Sequence, residues 1–442
     1  MSAPLRLHRV LAGLLPAALT ACGGGSSLRL ADVTPASVPT LAAEHSQRPQ
    51  DPTVATRLGV AYFRANQLPE ARGVLDTVAE RDPQNGIAAI YRGMTAESQG
   101  DFTAARTSYE QFIGVARSAE LKNTARQRLL LVGRRELEFQ ARQALAQESQ
   151  LSQSPPEPNT VAVMPFSYGG TNTEIEPLTR GFAQLVVTDL AKSRQIRVLE
   201  RERMQAMLDE MRLSEQNRAD PQTAARSGRL LRAANVVQGS LVDQGNILRV
   251  DATVVNVNTA LVGNTPASAA EQLNRVFDIE KVLVHQLFQN MGIQLSDAER
   301  SSIDQRPTQN LAAFLAWSRG LGAEDRGDFA AAQDFFNQAV RADPSFGAAA
   351  QSAQQASDLQ QASGQSVAEA EVSVAASAQL ETNGAPPPEV RNDALNNGTN
   401  SVAPSNTPAA GGSTTQNQPP TDRNQNQTPQ PTGTVRIVIP RP

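Results

Sequence analysis

The residue with the clearest chemistry is Cys22, the single cysteine of a 442-residue chain. It follows Leu19, Thr20 and Ala21 at the end of an apolar run that starts at Val10 and is preceded by Arg6, His8 and Arg9. A basic start, a short apolar stretch and small residues before a cysteine are the pattern of a bacterial lipoprotein export signal. The implied chemistry is cleavage before Cys22 and a thioether from its sulfur to diacylglycerol. The apolar run is roughly half of the ~20 residues that a membrane-crossing helix needs, so a permanent span is the poorer reading. Acyl chains contribute about 0.8 kcal/mol per buried methylene, and more than one chain anchors stably. No aspartate follows the cysteine to signal inner-membrane retention. The expected location is therefore the outer membrane, facing the periplasm, with the acyl lipid on Cys22 as the one attached group and no cofactor.

No other chemistry is expected. The chain has no G-x-x-x-x-G-K loop, no G-x-S-x-G elbow and no H-E-x-x-H pair. With three histidines in all, a metal site lacks ligands. His45 falls in a spacer and His285 on an amphipathic helix, where a structural role is expected. Glu200, Arg201 and Glu202 read as a solvated helix start, acidic groups being favoured at the positive end of the helix dipole. The chain is not expected to be an enzyme. A formal net charge of -4 with 19% charged residues gives no basic footprint for nucleic acid.

Residues 1–22 are the signal, and 23–50 read as a flexible tether rich in Gly, Pro, Ala and Ser. Over 51–150 two segments align at a spacing of 34 residues: Gly59 with Gly93, Asn66-Gln67-Leu68 with Gly100-Asp101-Phe102, Ala71 with Ala105, and Leu75 with Tyr109. That is the period of a tetratricopeptide repeat, in which small residues let two helices approach while Tyr62 and Pro83 fill and end the hairpin. A third copy falls at 308–357, with Gly320, Gly327-Asp328-Phe329, Ala332, Phe336 and Pro344 at the same offsets and Trp317 near the large aromatic position. Two repeats bury too little by themselves. A long helix near Ala119–Gln150, or the next domain, is expected to supply the missing face.

A Pro-rich linker, 151–159, precedes a different pattern over 160–296. Val161 to Phe166 suits a buried strand, and Leu178 to Leu190 a helix. A second short strand, Ile196–Leu199, leads to a helix with Met204, Met207, Leu208 and Met211 on one face. Val236–Val242 and Ile247–Val257 then alternate as a hairpin, and Val276–Met291 closes the layer as a helix. The fold class expected is an α/β (α+β) layered central domain flanked by all-α tetratricopeptide hairpins, with disordered termini.

The runs Val161-Ala162-Val163-Met164-Pro165-Phe166, Val198-Leu199-Glu200-Arg201-Glu202, Val236-Val237-Gln238-Gly239-Ser240-Leu241 and Leu248-Arg249-Val250-Asp251-Ala252 resemble the curli secretion lipoproteins of the CsgG-like family. The amino-terminal domain of TolB is a looser match. The resemblance implies self-assembly and an envelope location. It would also imply a pore, but the places where pore-forming members insert membrane hairpins are here a turn at Asp243–Asn246 and a short stretch at Ala260–Ala270. A membrane strand needs about 9–11 residues, so no barrel from this chain alone is expected.

Residues 361–442 lack aromatics, are rich in Pro, Gly, Ser, Thr, Asn and Gln, and read as a disordered tail spanning ~50 Å. Its end, Thr434–Ile439, is strand-like and is read equally as a sheet-edge peptide or a sticky terminus. The functional expectation is a membrane-anchored scaffold that binds other envelope proteins through the repeats and itself through the central domain, accessory to secretion or envelope assembly. The alternatives are a subunit of an oligomeric secretion complex and a tethered repeat adaptor without a transport role.

Overall fold

A computed structural model of the chain describes residues 30–212, 220–263 and 265–378. The motif Leu19 to Cys22 and the segment Thr434–Ile439 lie outside them.

The described chain opens on α1 (Val38–Gln47) and two helix hairpins, α2 (Pro52–Arg64) with α3 (Leu68–Arg81) and α4 (Gly86–Ser98) with α5 (Phe102–Val115). The 28-residue α6 (Ala119–Ala146) and the single turn α7 (Glu148–Leu151) follow. Side-chain caps explain the starts. Asp51 accepts from the amides of Thr53 and Val54, Asn85 from Ala88, Asp101 from Ala104 and Ser118 from Leu121. Gly100 ends the preceding helix at φ +75°, where a β-carbon would be strained.

A six-stranded mixed sheet forms the middle of the chain: β1 (Glu157–Val163), β2 (Ser167–Tyr168), β3 (Arg197–Val198), β4 (Ala233–Gln244), β5 (Ile247–Asn256) and β6 (Ala267–Gln272). The order is β3-β1-β4-β5-β6, with β2 also on β4. β1 runs parallel to β3 and β4, while β4–β5 and β5–β6 are antiparallel, with Val237 opposite Val254 and Val250 opposite Ala269. The parallel pairs require crossovers, which α8 (Leu178–Leu190), α9 (Arg201–Glu210) and α10 (Pro221–Leu231) provide. Alternation divides the strands between two cores. Val161, Val163, Val237, Val250 and Ala252 face α8 and α11 (Val276–Asn290). Ala162, Met164, Val236 and Val255 meet Met204, Met207 and Leu208 of α9, Leu231 of α10, and Ala141 at the far end of α6.

Beyond α12 (Asp297–Ile303), α13 (Leu311–Asp325), α14 (Phe329–Ala342) and α15 (Gly347–Ser363) form the downstream repeat and its continuation, followed by α16 (Val367–Ser377). This repeat is not separate from the sheet layer. Phe314, Trp317, Leu321 and Phe336 share one buried cluster with Phe182 and Phe288 of α8 and α11. A β-carbon on Gly181 of α8 would lie 1.9 Å from Ser318 Oγ of α13, so only glycine permits the approach.

The α/β layer between helix hairpins is as expected, but several sequence expectations are corrected. Residues 23–50 are not wholly a tether: Leu30, Val33 and Leu41 are buried and α1 packs on α2. The linker 151–159 begins in helix and ends in strand β1, so the layer starts at Glu157 rather than at 160. Strand β6 was not anticipated. The tail does not begin at 361, since α15 runs to Ser363 and α16 is packed with Ala370 and Val374 fully buried. The missing face of the first two repeats is supplied by α6 and by α16, which returns to pack on it, while α15 lies between α6 and α14.

The return is tied by charge. Arg128 of α6 is 2% exposed, and its Nε donates to Glu97 Oε2 at 3.1 Å while Nη2 bonds Oε1. Its Nη1 donates to the carbonyls of Ala362 (3.2 Å) and Gln365 (2.8 Å), capping the negative end of α15. Tyr109 Oη donates to the same Glu97 carboxylate at 2.9 Å. Removing one partner of a buried pair strands the other charge, which costs about 3–5 kcal/mol. Glu97→Ala is therefore expected to lower stability to urea by about that much. Arg135→Ala, which removes a bond to Glu97 from an arginine 42% exposed, is expected to cost under about 1 kcal/mol.

Candidate protein-interaction site

The three sequence-defined hairpins share one packing device. The β-carbon that Gly59 lacks would meet Leu75 at 2.6 Å, that of Gly93 would meet Tyr109 at 2.7 Å, and that of Gly320 would meet Phe336 at 2.4 Å. In each hairpin the large residue of the second helix thus seats against the backbone of the first. Ala71, Ala105 and Ala332 are fully buried at the matching positions. Tyr62 is half-buried, while Pro83 and Pro344 are exposed in the turns that end α3 and α14. Gln111 Nε2 donates to the Pro83 carbonyl at 3.0 Å. Asp101 and Asp328 do the same work twice, capping α5 and α14 after a glycine at φ +75°.

The face lined by α4, α6 and the turn Leu30–Asp32, with Arg64 at the end of α2, is occupied by α16. Its buried residues are Ala370, Glu371, Val374 and Ser377, one stripe at helical spacing. Glu371 Oε1 accepts from Arg64 Nε at 2.9 Å, from Arg64 Nη2 at 2.7 Å and from the Tyr91 hydroxyl. Burial, then the neighbouring Glu371 charge, pushes the Tyr91 hydroxyl far above its ordinary range, so it stays a donor. Arg64 Nη1 also donates to the carbonyls of Leu30 (2.6 Å) and Val33, so the start of the described chain and α16 are gathered at one guanidinium. None of these three polar residues was singled out in the sequence. The only sequence signal was the capping box at Ser366 and Glu369 that begins α16.

Arg201 corrects a further expectation. Instead of lying on a solvated helix start it is 6% exposed, bonded to Asp325 through Nη1 and to Glu324 Oε2 and Glu202 Oε1 at 3.0 Å each through Nη2. The start of the Met-rich α9 is thereby tied to the end of α13. Burial disfavours its charge, but Glu202, Asp325 and Glu324 outweigh that and hold the guanidinium protonated. Burial pushes Glu324 up to about 7 despite Arg201. Beneath the sheet, Lys281 of α11 bonds Asp189 of α8 and lies 3.0 Å from Glu280 Oε2. Burial, followed by the Asp189 charge, pushes Glu280 up to about 8. His285, on α11, bonds Asp304 Oδ1 at 2.9 Å. Among the described residues no cluster of His, Cys, Asp and Glu has the geometry to hold a metal ion.

Residues 142–247 match the family of the curli production assembly/transport component CsgG, and residues 56–119 match a tetratricopeptide repeat family. The first match runs from the end of α6 into β5 of the sheet layer and the second covers the first two hairpins, and neither matched family is enzymatic. Among solved structures, the carboxy-terminal domain of LpoB from Salmonella enterica is similar over 28% of this chain and 92% of that one, at 14% identity and a TM-score of 0.23. No curated protein matches.

The raised carboxyls give a pH test. A group whose folded pKa lies above its unfolded value of 4.5 binds its proton more tightly when folded, so stability falls as pH rises from about 4.5 to about 8 and levels beyond. Glu324 acts in the same direction up to about 7. Glu280→Gln is expected to flatten this decline, by on the order of a few kcal/mol between pH 5 and 8, in urea titrations across that range.

Proposed function

We propose that the chain is a lipid-anchored protein of the bacterial envelope that works as an interaction and assembly scaffold, accessory to an outer-membrane secretion or envelope-assembly system. The observation that carries this reading is that the CsgG-type layer and the repeats share packing and charge, through Gly181 against Ser318 and Arg201 against Asp325. A partner gripped by the helix hairpins is then held in fixed register with the layer. The sequence Leu19-Thr20-Ala21-Cys22 supports attachment through diacylglycerol at the outer membrane, facing the periplasm. No helix among the described residues is long and apolar enough to cross a membrane.

Partners in this reading are other envelope proteins on the repeats and further copies of the chain on the CsgG-type layer. β4 and β5 are joined by Gly245 and Asn246 alone, and β5 reaches β6 through residues 257–266. Neither connection has the roughly 20 residues that a pair of membrane strands requires, so any pore would come from other chains. The CsgG match favours a second reading, a subunit of an oligomeric secretion complex.

Cys22→Ser is expected to abolish incorporation of labelled palmitate and to move the protein from the membrane to the soluble fraction. Unchanged labelling would overturn the anchor. Sedimentation velocity of residues 23–442 separates the two readings: a discrete large oligomer supports the secretion subunit, and a monomer at every concentration leaves the scaffold working through its repeats.

A further inference from the structure

The face of α4, α6 and the turn Leu30–Asp32, with Arg64 at its edge, already holds a ligand, and the way it is held says what the face recognises. Helix α16 puts only small side chains into it, Ala370, Val374, Ser377 and Ala378, around one carboxylate. That carboxylate meets a prepared receptor, since Arg64 and Tyr91 come from different hairpins and converge on the one oxygen Glu371 Oε1. On the outer side of α16, Val372 is 66% exposed. An 11-residue helix is marginal in isolation, so α16 is helical because the face holds it. Its link to α15 is the three residues Gly364, Gln365 and Ser366. Its hold on the face rests on these small side chains and on the one carboxylate.

We propose that this face is a binding site for a short, small-residue helix carrying one buried glutamate, that α16 is its resident occupant, and that a partner helix of the same chemistry replaces it. The inference rests on the scaffold reading and deepens it by naming the ligand class. Recognition has two parts: a stripe of small residues (Ala, Val or Ser) at i, i+4, i+7 and i+8, and a carboxylate one residue into that stripe, aimed at Arg64 and Tyr91. The resident helix is favoured by its short link, which keeps its local concentration in the millimolar range. A partner therefore gains access in proportion to the loosening of α16.

The test uses the full chain and a fluorescent peptide of residues 364–378, with anisotropy as the binding readout and amide hydrogen exchange over 366–378 as the measure of release. Glu371→Lys sets a cation against Arg64. Val374→Asp keeps the glutamate and spoils the apolar stripe, so it releases α16 by an independent route. Both variants are expected to lose at least about tenfold in protection over 366–378 and to bind the peptide at least about tenfold more tightly than the unaltered chain. Adding Arg64→Ala, or placing Glu371→Lys in the peptide, is expected to abolish that binding. Release without a gain in peptide binding overturns the proposal. Unchanged protection in Glu371→Lys overturns it as well, because the carboxylate is then not what holds the helix. Purified chain and synthetic peptide suffice, so failure here leaves membrane attachment and assembly to be judged by their own measurements.

Discussion

The buried pair of Glu97 and Arg128 is the constraint on which the arrangement of the chain turns. Two charges taken out of water lose several kcal/mol of hydration each, and the loss is recovered only if every lone pair and proton finds a partner. Here the carboxylate accepts from Arg128, Arg135 and Tyr109, and the guanidinium spends its remaining donors on the carbonyl end of α15. Satisfaction therefore needs residues separated by more than 260 positions, from Glu97 to Gln365, to be folded together. The pair is thus a condition on the register of the last helices against the first repeats. It also makes α6 the common wall of the molecule, with the repeats and α15 along its first half and the sheet layer on its last turns through Ala141.

The same logic of close approach appears without charge in the hairpins. A glycine on the first helix and a large side chain sixteen residues later reproduce in all three copies, with Leu75, Tyr109 and Phe336 as the large partners. Because the partner differs in size and the glycine does not, it is the missing β-carbon that sets the distance between helices. Gly181 extends the device beyond the repeats, letting α8 of the sheet layer meet Ser318 of α13. A single-residue concession on each side thus welds a repeat to a different fold, and Arg201 secures the weld with Glu324 and Asp325.

What was legible in the sequence follows from the range of the contacts. Glycine and its partner lie within one hairpin, so their spacing repeats and can be read, as can the alternation of Val236 to Val257, which one turn pairs with itself. Strand β6 was missed because it is a run of alanine and polar residues of low strand propensity, held by its register with β5 more than by its own composition. Helix α16 was missed for a related reason: alanine and valine without aromatics look unable to bury enough surface, yet they need only fill a face that larger residues have already built. Arg201 looked solvated because its partners, Glu324 and Asp325, sit over 120 positions away. In each case the sequence carries the residue, and the partner that gives it meaning comes from another part of the chain.

The two ends of the described chain meet at Arg64, and this bears on where the repeat face works. Its guanidinium binds the Leu30 and Val33 carbonyls on one side and Glu371 on the other. Cys22 precedes Leu30 by eight residues, a reach of at most about 29 Å when fully extended. A lipid on Cys22 would hold Arg64, Tyr91 and α16 within roughly that distance of the bilayer surface. The sheet layer is fixed to the other end of α6, whose 28 residues rise about 42 Å along its axis. The repeat face and the sheet layer therefore follow one another along α6.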